Sequence, residues 1–100
     1  MSRRSIVIIG AGIAGLSAGC YAQRNGYTTR IFETQRTPGG WCTGWKRKGY
    51  TVDGCLHHLA GMRETSPIYR IYSDLGIFPE LPFIKRDHLV QVEDAEGHGT

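Results

Sequence analysis

Residues 6–33 read IVIIGAGIAGLSAGCYAQRNGYTTRIFE, and the rest of the chain is interpreted outward from this stretch. Ile6 to Ile9 is an unbroken branched apolar run, the pattern of a strand buried on both faces of a parallel sheet. It opens into Gly10-Ala11-Gly12-Ile13-Ala14-Gly15. Gly10 permits a tight turn out of the strand, Gly12 lets backbone approach a pyrophosphate, and Gly15 lets the following helix pack closely. That helix is expected over 13–25, with Asn25-Gly26 as its stop. Thr28 to Glu33 is the second strand, rich in β-branched residues. Glu33 stands about 18 residues beyond Gly15, near the spacing of roughly 20 at which an acid meets a ribose hydroxyl pair. A helix N-terminus beside the glycines offers free N–H groups and a partial positive charge to phosphates.

Glycine turns are common, and the chain has 14 glycines, so the GxGxxG alone decides little. What gives it weight is context: strand before, helix after, second strand, terminal acid. The expected fold class is α/β, a Rossmann-like FAD/NAD(P)-binding βαβ unit on a parallel sheet. An acid at position 33 also favours a free ribose hydroxyl over a 2′-phosphate.

The 100 residues are 40% apolar and 21% charged, which excludes an intrinsically disordered chain. Net charge is +3, from scattered Arg and Lys with one short run at Lys46-Arg47-Lys48, so no nucleic-acid partner is expected. Cys20, Cys42 and Cys55 form no CxxC, and an odd count favours free thiols in a reducing compartment. Arg3-Arg4 before an apolar run imitates a secretory leader, but the glycines that interrupt the run argue for no signal peptide. No run reaches the ~20 apolar residues needed to cross a membrane. The expected location is cytoplasmic or on a membrane periphery.

Beyond Glu33 and Thr34, Pro38-Gly39-Gly40 forbids helix and reads as a turn. Residues 45–47 and 50–53 flank Lys48-Gly49 as a β-hairpin. A loop over 54–61 carries Cys55, Leu56, His57 and His58. Ser66 to Gly76 reads as a helix with Ser66 as N-cap, Pro67 at its first position and Gly76 as C-cap. Its residues Ile68, Ile71, Tyr72 and Leu75 form the expected buried stripe. Residues 78–83 are a proline-punctuated connection, 88–93 an expected strand, and 94–97 a turn. A strand and turn without a following partner, and a two-stranded parallel sheet, predict that residues 1–100 are the N-terminal portion of a larger protein. Within it, residues 5–33 carry the dinucleotide fingerprint, and 34–62 the Gly-Gly turn, hairpin and following loop.

The two motifs Gly10 to Gly15 and Pro38-Gly39-Gly40, with residues 45–54 after them, resemble the FAD-dependent oxidoreductases of the phytoene desaturase, carotenoid isomerase and retinol saturase group. Amine oxidases are more distant relatives of that fold. The resemblance covers residues 5–62. It implies that residues 1–100 are the N-terminal FAD-binding segment of a larger two-domain flavoprotein, with FAD as cofactor, Gly10, Ala11, Gly12, Ile13, Ala14 and Gly15 around the pyrophosphate and Glu33 with Thr34 toward the adenosine ribose. Gly39, Gly40 and Trp41 would line the middle of the cofactor, and Leu56, His57 and His58 would approach the isoalloxazine. Many relatives place a basic residue directly after Gly-Gly; here it is Trp41, so a charge on the phosphates is either absent or supplied by Arg36 or a later segment. The implied substrate is small and apolar, carotenoid- or retinoid-like, with peripheral membrane contact compatible with it. Amine oxidation is the alternative chemistry. A Rab-GDP-dissociation-inhibitor-like binding protein is the alternative of a different class. Adjacent histidines lack metal-ligand spacing, and no metal is expected. No catalytic acid or base stands out.

Overall fold

The computed structural model describes residues 4–78, 81–87 and 90–99. Strand β1 (Ser5–Ile9) leads to helix α1 (Ile13–Arg24) and strand β2 (Thr28–Phe32). β1 and β2 pair in parallel, from Ser5 beside Thr28 to Ile9 beside Phe32. Two parallel strands need a crossover connection, and α1 supplies it. The helix packs on one face of the pair through Gly19, where a Cβ would stand 3.2 Å from Ile31 Cδ1 and 3.6 Å from Ile8 Cδ1.

Both helices end by the same backbone device. After α1, Gly26 takes φ 85° and its amide bonds the Gln23 carbonyl, while the Tyr27 amide bonds that of Ala22, both at 3.0 Å. After α2 (Pro67–Asp74), Gly76 takes φ 78°, its amide bonds Ser73 and the Ile77 amide bonds Tyr72, again at 3.0 Å. These are Schellman closures, which satisfy carbonyls that a helix end otherwise orphans. Ser66 caps the start of α2, its Oγ accepting from the Ile68 amide at 3.3 Å.

Strands β3 (Gly44–Arg47) and β4 (Tyr50–Asp53) form the expected antiparallel hairpin. Lys48 at φ 48° and Gly49 at φ 83° make the two-residue turn, both left-handed as such a turn requires. The hairpin packs against no other element among the described residues.

The sequence expectation fails at three places. The apolar run of β1 predicts burial on both faces, yet among the described residues only the α1 side is covered. Val7, Ile9 and Phe32 on the other side are 62%, 81% and 51% exposed. In α2, Ile68 and Ile71 are exposed rather than part of a buried stripe. Phe78 instead draws the helix's aromatic rings together, stacking on Tyr69 with ring centres 4.5 Å apart and meeting Tyr72 edge-on at 6.4 Å. Aromatic area on one return segment outweighs the aliphatic periodicity. Finally, no strand forms over 90–93: Glu93 makes one isolated bridge to Gly99. The carboxylate of Asp94 gathers the amides of Glu96 and His98 at 3.0 and 2.8 Å, closing a tight turn where a ladder would need extended chain. His88 and Leu89 of the expected strand lie outside the described residues, as do Pro79 and Glu80 of the connection and Arg3 of the lead.

Candidate functional site

The parallel register puts the end of β1 beside the end of β2, so the turn at Gly10 emerges next to Glu33. Gly10 takes φ 98°, outside the reach of most side chains, and its amide continues the sheet by bonding the Phe32 carbonyl at 2.7 Å. Gly12 is the N-cap of α1, and no side chain caps the helix there. The first turn carries no acidic residue, so its N–H groups, which have no acceptor within the helix, are left electrostatically open to an anion. Gly15 lies under the loop: a Cβ there would stand 2.0 Å from the Gly10 carbonyl oxygen. Ile13 and Ala14 between them are exposed.

Two segments fold back on this loop. The Gly39 amide donates to the Ala11 carbonyl at 2.7 Å, and Gly39 bridges Gly12 in parallel fashion. Gly40, at φ 59°, follows so closely that a Cβ on it would come 3.1 Å from Gly12 Cα. The Gly-Gly turn and the glycine loop therefore face each other backbone to backbone, with no side chain between Gly12 and Gly40. Ala11, behind them, is 5% exposed.

The second segment is the end of β2. Glu33 Oε2 accepts from the Ala11 amide at 2.7 Å, while Oε1 accepts from the Gln35 amide at 2.9 Å and the Thr34 hydroxyl at 3.2 Å. The Gln35 amide first, and the Ala11 amide next, hold the carboxyl below the ordinary glutamate range. The carboxylate is thus ionised at neutral pH and ties strand to loop. Sequence reasoning had Glu33 only as a ligand contact and missed this tie. No local signal announces it, because the register that sets Phe32 beside Ile9 is what brings Glu33 next to the loop amides.

The remaining candidates stand apart. Trp41 is 87% exposed and Leu56 51%. His57 and His58 are exposed on the loop after β4, with ring centres 6.4 Å apart. No hydrogen bond among the described residues joins Leu56, His57 or His58 to the glycine loop. The structure brings together Gly10 to Gly15, Glu33, Thr34, Gly39 and Gly40, and leaves the distal four outside that cluster.

What the cluster can do follows from its groups. The Gly12–Gly40 contact is a close one, where a Cβ on Gly40 would be crowded 3.1 Å from Gly12 Cα. Beside it lie an uncapped helix N-terminus for phosphate and a fixed carboxylate for hydroxyls. These residues fit a dinucleotide.

Residues 8–75 match the protein family described as NAD(P)-binding Rossmann-like domain. Over 50 residues the chain is 38% identical to a zeta-carotene-forming phytoene desaturase of Myxococcus xanthus. That stretch is half of this chain and spans 10% of the relative's length.

Proposed function

Since the chain belongs to the NAD(P)-binding Rossmann-like domain family, we propose that it binds the FAD of an oxidoreductase acting on carbon–carbon bonds of an apolar, polyene-like substrate. The observation that carries the cofactor reading is the docking of Gly39-Gly40 on the glycine loop, with the Gly39 amide on the Ala11 carbonyl at 2.7 Å. The glycine fingerprint by itself serves NAD(P) and FAD sites alike. Here a second backbone wall comes down on the loop, as an extended cofactor with a long middle requires.

In this reading the amides of Gly12 to Gly15 receive the pyrophosphate, Glu33 with Thr34 receives the adenosine ribose, and Gly40 with Trp41 lines the middle of the cofactor. Leu56, His57 and His58 contact the isoalloxazine side. Bound flavin supplies the electron-accepting chemistry. The chain's own residues bind and orient it. Glu33 keeps acceptor capacity for ribose hydroxyls, because each carboxylate oxygen has more than one lone-pair site. The substrate class rests on the likeness to the zeta-carotene-forming phytoene desaturase.

The test is an absorbance spectrum of the natively purified full-length protein, with the released cofactor identified by mass. Stoichiometric FAD is the expected result. A colourless protein that takes up no added FAD overturns the proposal; uptake of NAD(P) instead would make it a nicotinamide enzyme, and uptake of neither a binding protein.

A further inference from the structure

We propose that Cys42 and Cys55 are a redox-responsive thiol pair at the open end of the β3–β4 hairpin, joined to each other by disulfide exchange with a small disulfide such as oxidised glutathione. The argument is one of register. The last ladder pair is Gly44 with Asp53. One step outward, the Gly54 amide donates to the Thr43 carbonyl at 2.7 Å, so the strands still oppose each other there. Continued one more step, the same register would set Cys42 against Cys55, each at a bend where its strand ends.

Antiparallel pairs alternate between hydrogen-bonded and non-hydrogen-bonded. Thr43 and Gly54 make one of the two bonds of a bonded pair, so on that alternation a continued register would put Cys42 and Cys55 at a non-hydrogen-bonded position, where Cα atoms approach to about 4.5 Å. A disulfide spans Cα separations of roughly 4.4–6.8 Å, so the two requirements overlap. The Cys42 amide bonds the Gly39 carbonyl at 3.0 Å, closing the turn that leads into β3. Both thiols are free and exposed, open to a soluble disulfide. Cys20 is also free and exposed but lies on α1, away from the hairpin.

The exchange balances in two steps. The thiolate of one cysteine attacks glutathione disulfide, forming a mixed disulfide and releasing one glutathione thiolate. The second cysteine's thiolate then attacks the mixed disulfide at the protein sulfur and expels the other glutathione. Two electrons pass from the protein sulfurs to glutathione, and the two protons end on the released thiols. The new bond would link the Gly39-Gly40 turn, through Cys42, to the loop that begins at Cys55 and carries His57 and His58. This inference does not depend on which cofactor the protein binds.

The experiment uses the reduced full-length protein in glutathione redox buffers, with free thiols alkylated before tryptic digestion and mass spectrometry. Cleavage after Lys46, Arg47 and Lys48 separates the two cysteines into residues 37–46 and 49–63, so only a disulfide holds these peptides together. At about millimolar glutathione, the linked pair is expected to exceed glutathionylation at either cysteine by about tenfold, because the partner thiol is held at a higher effective concentration. Cys20→Ser should leave the link intact, and Cys42→Ser should leave Cys55 as a glutathione adduct. Adducts on Cys42 and Cys55 as frequent as on Cys20 would overturn the proposal, as would linkage of Cys20 to either. The preference should also fall several-fold in denaturant; a preference unchanged there would mean that sequence proximity, not the hairpin register, brings the thiols together.

Discussion

Gly12→Ala separates the fold from the cofactor more cleanly than any other change in this chain. Gly12 has φ −74° and ψ 179°, ordinary values for alanine. The nearest atom to an added Cβ is Gly40 Cα at 4.0 Å, an ordinary contact. Loss of glycine's unfolded-state freedom contributes about 0.4–1 kcal/mol of stability. Alanine's poorer N-capping offsets a similar amount. Net stability of the cofactor-free protein should therefore stay within about 1 kcal/mol of the parent, read from urea unfolding. The methyl nevertheless stands on the backbone that the pyrophosphate is proposed to approach. Crowding a closely packed site costs about 1–3 kcal/mol, which is roughly 5- to 150-fold in Kd. Calorimetric titration of the full-length apoprotein with FAD measures it. Gly15→Ala is the opposite case, because its Cβ would meet the Gly10 carbonyl oxygen at 2.0 Å and α1 has to shift. That variant should lose stability even without cofactor. Unchanged FAD affinity in Gly12→Ala would refute the cradle, and an unchanged unfolding midpoint in Gly15→Ala would refute the packing.

Three further outcomes are expected. Glu33 has its carboxyl lowered from 4.5 by backbone amides, so its contribution to folding is fully present above that value and is lost as pH falls through the lowered folded pKa. Acid unfolding of Glu33→Gln should accordingly lack part of the parent's pH dependence, and identical acid profiles would remove the carboxylate tie. Ser66→Ala should cost about 1 kcal/mol in urea unfolding through loss of the cap on the Ile68 amide; no change would mean that solvent serves that amide as well. His57→Ala and His58→Ala should each lower turnover of the FAD-loaded full-length enzyme, and normal turnover in both would confine the pair to loop packing.

The periodic and punctuated parts of this chain were legible without coordinates. Branched apolar runs, Asn25-Gly26, Ser66-Pro67 and Lys48-Gly49 act through local sterics and nearest-neighbour hydrogen bonds, and the helices and hairpin formed within a residue or two of expectation. The glycine loop was legible for the same reason, since its conformational demands belong to residues adjacent in sequence. Residues 88–93 misled because alternation describes a strand only when a partner exists to bond it, and the described part finds none beyond the Glu93–Gly99 bridge. Likewise, the periodicity of α2 could not announce that Phe78 would gather Tyr69 and Tyr72.

The sequence by itself determined the elements, their order and the residues able to form a phosphate-binding turn. Only the tertiary structure decided that Gly39-Gly40 comes down on Gly12, that Glu33 reaches back to the Ala11 amide, and that the hairpin sets Gly44 opposite Asp53. The physical reason is range. Backbone preferences and capping act over a few residues, whereas these juxtapositions depend on how strands align and turns close, which no local interaction encodes.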